Sequence, residues 1–407
     1  MSNPNPHLTR RRFLKAAGLL GVGSLIAGGA TLADTSTDGG PAKASPHPVP
    51  TRPFGKTGTK LPMLALGGLD VAINPLLLKQ ALDWGLTYWD TANMYLGGNS
   101  EIGLGQYFEK NPNARKQVFL VTKTESRNPA VMTKHLELSL ERMKTDHIDL
   151  YFIHYLFNPG ELTPGIKEWA EKAKKTGQIR FFGFSTHSNM EASLLGAAKL
   201  GWIDGIMLKY DFRLRQTDPM RQAVDACAKA GVGLTAMKTQ AAGPVKVDSE
   251  TELKMAGRFL QQGFTDAQAR LKAVWENEQI SVICSSMSNL SILMANIGAA
   301  LDKTKLTALD HELMQRYAGE TRCGYCAGCT QRCEEAIARQ APIGDVLRCL
   351  MYYRSYGDRD LARQLFAQVP ANTREQLTRL DYSTAEQRCP NGLPIARLMR
   401  EASDLLS

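Results

Sequence analysis

Ile148-Asp149-Leu150-Tyr151-Phe152-Ile153, followed at once by His154, is a short run of β-branched and aromatic side chains that ends on a polar group. Such a run reads as a strand buried on both faces. Two upstream stretches have the same form: Leu86-Thr87-Tyr88-Trp89 runs into Asp90, and Val118-Phe119-Leu120-Val121-Thr122 runs into Lys123. Working outward gives strands at Met63 to Leu66, Thr87 to Trp89, Val118 to Thr122, Ile148 to Ile153, Ile179 to Ser185, Gly205 to Lys209, Gly233 to Met237 and Ser281 to Cys284. Helix-period stretches fill the gaps: Pro75 to Gly85, Glu101 to Phe108, Ala130 to Met143, Gly165 to Thr176, Met190 to Leu200, Pro219 to Ala230, Thr265 to Glu278 and Leu290 to Leu301. Within Lys134 to Met143, for example, Leu136, Leu140 and Met143 share one face, with His135, Glu137 and Glu141 off it. Strict alternation of this kind predicts an α/β fold, a (β/α)8 TIM barrel, whose strand ends converge on one functional face.

The polar residues at those strand ends suit one reaction. A carbonyl accepting a hydride develops negative charge on oxygen, so a proton donor must stand within hydrogen-bond reach. Tyr95 is the expected donor. A free phenol has a pKa near ~10, and a neighbouring ammonium lowers it. Lys123 is expected to supply that charge, Asp90 to hold Lys123, and His154 to orient the carbonyl with a second hydrogen bond. Taken singly, each of the four has an ordinary structural explanation; the combination carries the reading.

Asp90-Thr91-Ala92-Asn93-Met94-Tyr95-Leu96-Gly97-Gly98-Asn99-Ser100-Glu101 resembles the aldo-keto reductase pattern D-T-A-x-x-Y-G-x-S-E, with a short insertion before Ser-Glu. Val121-Thr122-Lys123 and Asp149 to His154 are similar to that family's lysine and histidine strands, and the likeness runs over roughly residues 53 to 300. It implies an NAD(P)H-dependent oxidoreductase acting on a small-molecule carbonyl or alcohol, with Asp90, Tyr95, Lys123 and His154 catalytic. By the same resemblance, Ser185, Thr186, Met207 and Met237 take the positions that hold and stack the nicotinamide, while Ser285, Ser286 and Asn296 take the phosphate end. Thr186 stands where the family has asparagine, Met207 where it often has glutamine, and Met237 where an aromatic usually stacks. No arginine or lysine lies between Ser285 and Asn296 to pair with the 2′-phosphate of NADP.

The connection from Thr239 to Phe264 is long for a compact domain, and long loops of this kind are usually functional or disordered. A lid over the cofactor and a variable surface insertion are the two readings of it.

The N-terminal stretch Thr9-Arg10-Arg11-Arg12-Phe13-Leu14-Lys15 fits the twin-arginine export pattern, followed by an apolar, Gly-rich stretch to Ala30 and a small-residue cleavage site at Thr31-Leu32-Ala33. Residues 1–33 are therefore expected to be an address read by the twin-arginine machinery, and residues 34–52, rich in Pro, Gly, Ser and Thr, a linker. The expected location is the periplasm or beyond the cytoplasm. The formal charge is +9, but four of the positive groups belong to the leader, which has no acid. The mildly basic remainder has no basic run interleaved with aromatics, so nucleic-acid binding is unsupported.

Past the barrel, Cys323, Cys326, Cys329 and Cys333 stand as C-x2-C-x2-C-x3-C, the spacing with which a bacterial ferredoxin wraps a [4Fe–4S] cluster. Gly324 and Gly328 permit the tight turns required. The proline that would follow the fourth cysteine appears instead after Cys389, so Cys333 and Cys389 both compete for the last ligand position. Zinc is the lesser metal alternative, and disulfides are the structural one. The expected organisation is a barrel over residues 53–318 and a mostly helical iron–sulfur module over 319–407. Its Arg-rich helices read as solvated faces, and Tyr352, Tyr353 and Tyr356 as packing. Two functions follow: an exported aldo-keto-reductase-type enzyme carrying a [4Fe–4S] cluster, with a redox partner, or an electron-transfer or ligand-binding protein with a silent barrel.

Overall fold

This computed structural model describes residues 48–67 and 74–407, so the leader and nearly all of the linker lie outside the described residues. Among them, no helix is long and apolar enough to cross a membrane. Eight parallel strands close into a barrel in the order β10, β3, β4, β5, β6, β7, β8, β9. They are β3 (Leu64–Gly67), β4 (Tyr88–Asp90), β5 (Phe119–Thr124), β6 (Ile148–Ile153), β7 (Ile179–Thr186), β8 (Gly205–Lys209), β9 (Gly233–Met237) and β10 (Val282–Ser286). All eight expected strands are present, several running one or two residues further at the C-terminal end. Register carries the functional residues to one rim: Asp90 pairs with Val121, and Lys123 with Phe152.

The helices form where the sequence marks their ends. Pro129–Met143 starts on Asn128, whose side chain accepts from the amides of Ala130 and Val131, has Pro at its first position, and stops at Lys144 with φ +51°. Its buried Met132, Leu136 and Met143 join the shell between helices and barrel, with Trp89, Tyr151 and Phe184.

A feature absent from the expectation closes the far end of the barrel. β1 (Thr51–Pro53) and β2 (Lys60–Pro62) form an antiparallel hairpin, and Phe54 between them is fully buried. A Cβ at Gly205 or Gly233, which open β8 and β9, would lie 2.9 or 2.6 Å from its ring. The plug depends on those glycines.

The long connection from Thr239 to Phe264 is neither an open lid nor a free insertion. Its second half is the helix Glu250–Gln261, which buries Met255 and Phe259 against Phe264, Leu313 and Tyr317. Its first half runs beneath the C-terminal region: Val245 N donates to Gly324 O at 3.3 Å and Ser355 Oγ to Gly243 O at 2.7 Å. A Cβ on Gly243 would stand 2.0 Å from Gly324 O.

The C-terminal region is helical as expected and has its own apolar core, built on Val346, Leu350, Phe366, Leu377, Tyr382 and Leu398. Ile343–Met351 ends in a π-helical turn, Tyr352–Tyr356. Helices at Ala308–Glu320, Thr330–Glu335 and Ser383–Arg388 also belong to this part of the chain.

Replacing Phe54 by Ala is expected to lower stability by about 3–5 kcal/mol, the usual effect of removing a buried aromatic. A urea midpoint that falls with an unchanged slope checks this.

Candidate active site

Lys123, next to last in β5, is 1% exposed. Its Nζ donates to Asp90 Oδ1 at 2.6 Å, Asp90 Oδ2 at 2.7 Å and the Thr91 carbonyl at 2.6 Å. All three donors of the ammonium are used. The loop bearing Tyr95 is tied to the same strands, since Thr91 N donates to Val121 O and Asn93 N to Lys123 O. Arg142 braces it from outside, donating to Asn93 O at 2.9 Å and to the buried Glu101 at 3.2 Å. The insertion after Tyr95 turns through Leu96, Gly97 and Gly98, all at positive φ, before Asn99–Lys110 begins.

The rings of Tyr95 and His154 meet edge to face with centroids 5.7 Å apart, and Lys123 Nζ lies 5.2 Å from the Tyr95 centroid. Three of the four expected residues are fully buried and the fourth faces them: Asp90, Tyr95, Lys123 and His154 form one cluster. The expected tuning of Tyr95 has the opposite sign. Burial, then the Asp90 charge, push its phenol well above the usual tyrosine value. Lys123 is engaged by Asp90 and Thr91 rather than by the phenol. Tyr95 is therefore protonated at neutral pH, the state a proton donor needs.

Burial likewise pushes His154 down to about 4, opposed by Glu125 and assisted by the charge of Lys123. Glu125 Oε1 is 3.5 Å from Nδ1. His154 is thus a neutral ring with one N–H to offer.

Residues the sequence reading passed over complete the surroundings. Tyr155, at φ +55°, stacks on His154 with centroids 3.7 Å apart, and the guanidinium of Arg348 covers Tyr155 at 5.0 Å. Arg348 is turned inward, contrary to the solvated face expected for it. Tyr352 takes a hydrogen bond from Lys238, and Lys209 donates to Cys326 O. Lys209 and Lys238 close β8 and just follow β9, so the strand-end rule that found Lys123 applied to them too.

The expected nicotinamide positions divide. Ser185 is 1% exposed and its Oγ has no hydrogen-bond partner among the described residues. Thr186 spends its hydroxyl on Leu156 O and Ser188 O, both at 2.7 Å. Met207 is buried inside the barrel, with Met237 packed against the same cluster. Asn296 Nδ2 donates to Ser285 Oγ at 3.1 Å, and Ser286 is exposed beside them.

Cys326, Cys329, Cys333 and Cys389 line one cavity of about 20 Å³ walled by Ile343, Leu347, Leu393 and Ile395. Cys323 is exposed, and Cys349 is buried in the module's core. Burial raises the Cys326 thiol and pushes Cys329 up to about 11. Gly328 makes the turn between them at φ +85°, and a Cβ there would meet His187 O at 2.4 Å; Gly324 has no positive φ but lies close under Val245 O. Among the described residues no three His, Cys, Asp or Glu side chains are grouped as a site for a single metal ion, and all described cysteines are free.

Comparison with known proteins agrees with this geometry. Residues 72–310 match the family described as "Aldo/keto reductase family". The chain is 29% identical over 206 residues to "Aldo-keto reductase yakc [NADP(+)]" of Schizosaccharomyces pombe, covering 45% of this chain and 59% of that protein. It is 38% identical over 135 residues to "Aldo-keto reductase YhdN" of Bacillus subtilis, covering 30% and 39%. The chain thus spans well under two thirds of the length of these relatives. An aldo-keto reductase from Klebsiella pneumoniae, solved in complex with NADPH, shares the fold with a TM-score of 0.54 at 23% identity, over 66% of this chain and 94% of that one. AKR11C1 from Bacillus halodurans gives a TM-score of 0.53 at 20% identity over 65% and 95%.

The depressed His154 sets a pH dependence. Its folded value, about 4, lies below the unfolded value near ~6.5, so between the two the unfolded chain binds the extra proton. His154 therefore contributes full stability above that window, and about 3 kcal/mol of it is lost as pH falls through the window. Urea unfolding from pH 7 to 4 should show this loss, reduced in His154→Gln.

Proposed function

Because this chain belongs to the aldo/keto reductase family, we propose that it interconverts a small-molecule carbonyl and its alcohol with NADPH or NADH as partner. The observation that carries this reading is the buried Lys123–Asp90 pair beneath facing Tyr95 and His154 rings. Tyr95, held protonated, gives its proton to the carbonyl oxygen as negative charge develops there. The neutral His154 donates its N–H to the same oxygen. Lys123 and Asp90 fix the floor of the site, the Asp90 charge helping to keep Tyr95 protonated and the Lys123 charge helping to keep His154 neutral. The nicotinamide supplies or accepts the hydride when bound. Ser185, whose buried hydroxyl lacks a partner among the described residues, suits its carboxamide, and Ser285, Ser286 and Asn296 suit a phosphate. Thr186 is occupied internally, so it adds nothing to that grip.

The four cysteines around one cavity support a [4Fe–4S] cluster held by Cys326, Cys329, Cys333 and Cys389. Thiolates from a loop, a short helix and a distant helix end surround a space, which is the donor set a cubane takes; zinc calls for tighter convergence. On this reading Cys323 is spare. Their raised thiols mean that loading releases protons. We also read residues 1–33 as a twin-arginine signal, which suits a protein that folds and takes up a cluster before export.

A second reading, a ligand-binding or electron-transfer protein with a silent barrel, draws on one observation: Arg348 and Tyr352 roof the site. Tyr95→Phe separates the two. With NADPH and an aromatic aldehyde, turnover should fall at least ~10²-fold, the low end for loss of a general acid, while nucleotide fluorescence still reports binding. Wild-type protein with no turnover of any aldehyde or ketone would favour the silent barrel. In the module, Cys389→Ser should lose iron and the visible absorbance of the cluster, whereas Cys323→Ser should keep both.

A further inference from the structure

Between the barrel rim and the cysteine module lies a second small cavity, about 30 Å³, whose lining includes His187, Lys209, Lys238, Leu347, Arg348 and Met351. It contributes to none of the steps given above. Its lining has three cationic side chains and no carboxylate. Lys209 is 7% exposed, and neither it nor Lys238 forms an ion pair among the described residues; Arg348 alone has one, with Asp345 at 3.0 Å. The other acid close to Lys209, Asp211, already accepts from Tyr325 OH at 2.6 Å and from the amides of Arg213 and Leu214. His187 Nδ1 is buried with no partner among the described residues.

Lys209 is buried and Lys238 half-buried, and each donates to an uncharged oxygen, the Cys326 carbonyl and the Tyr352 hydroxyl; a positive charge so placed is disfavoured unless an anion arrives. The backbone is held to aim one of them: Lys238 sits at φ +60°, a conformation a lysine adopts only at a price in strain that its surroundings must offset. Rings connect this cavity to the reacting end without a break. Tyr95 meets His154, His154 stacks on Tyr155, and Tyr155 lies 5.5 Å from His187.

We propose that the cavity is a carboxylate subsite, so that the substrates are oxo acids or the corresponding hydroxy acids: Lys209, Lys238 and Arg348 take the carboxylate while the carbonyl lies on Tyr95 and His154. This rests on the carbonyl-reduction reading for the position of the carbonyl, but not for the binding of the anion. Size selects the carboxylate over the other oxyanion at hand, the pyrophosphate of a nucleotide. By the measure in which one water needs ~10–15 Å³, the cavity holds two or three atoms of oxygen size, enough for a carboxylate and too few for a pyrophosphate.

The test is calorimetric titration of the full chain with benzoate and with its neutral isostere benzamide, at constant ionic strength and without nucleotide. Benzoate should bind at least ~10-fold more tightly. Lys238→Met should remove that preference and Lys238→Arg should keep it, with melting curves verifying that both variants fold. Equal affinity for benzoate and benzamide, or a preference that Lys238→Met leaves intact, overturns the proposal. Displacement of benzoate by inorganic pyrophosphate at comparable concentration overturns it too, by assigning the cavity to the nucleotide. Benzoate selectivity in a protein that turns over no carbonyl would leave the subsite standing and remove the reductase reading. Carbonyl turnover without benzoate selectivity would do the reverse.

Discussion

Everything at the rim of this barrel is arranged around one buried ion pair. Lys123 is 1% exposed, and an ammonium in that setting is tolerable only because two carboxylate oxygens and a carbonyl accept its three protons. Such a pair is weak evidence for stability, because a well-packed apolar pair of the same volume often serves as well or better. Its presence is therefore explained by what it does to its neighbours. It fixes the ends of β4 and β5 against each other, seats the loop that carries Tyr95, and places a positive charge within reach of His154, where it helps keep the imidazole neutral.

The C-terminal module makes that pair matter more. Its helix Ile343–Met351 lays Arg348 over Tyr155, and the π-helical turn that follows brings Tyr352 to Lys238. Turns of this type often occur at functional sites, because the extra residue redirects side chains. Closing the mouth lowers the local dielectric, and the shifts of Tyr95 and His154 both follow from that burial. Three glycines make the close docking possible: a Cβ on Gly243, Gly324 or Gly328 would meet backbone oxygen at 2.0, 2.6 or 2.4 Å. The barrel and the module are fitted to each other at the level of the main chain.

Much of this was legible in the sequence, for identifiable reasons. Strands buried on both faces have to be continuous apolar runs, and a charged residue closing one has to face the rim, so Asp90, Lys123 and His154 could be placed by number. The hairpin holding Phe54 was not, since three-residue strands among Gly, Pro and Thr look like the linker before them. The direction of the Tyr95 shift was missed because charge proximity can be read from spacing and burial cannot. Arg348 belongs to the Arg-rich helices whose charges read as solvated faces; its pairing with Asp345 three positions earlier is an ordinary helical one, and nothing local says that the module turns that face inward. Lys209 and Lys238 went unread for another reason. The family's nicotinamide positions correspond to Met207 and Met237, two residues and one residue short of the lysines that the strand-end rule picks.

The two cavities of the module share Cys326 and Leu347 in their walls. Lys209 stands at that wall, donating to the Cys326 carbonyl while its charge opposes the rise of the Cys326 thiol. A cluster held by these cysteines would place negative charge on one side of Lys209, and a carboxylate would place it on the other. One ammonium would then serve both, and each anion would weaken the hold on the other. Linkage requires that coupling to be reciprocal: whatever a bound carboxylate does to the free energy of the cluster, the cluster does to the affinity for the carboxylate. The chemistry proposed for the barrel would move electrons in pairs and that of a cubane one at a time, so electrostatic coupling through Lys209 would connect the two sites without any electron having to pass between them.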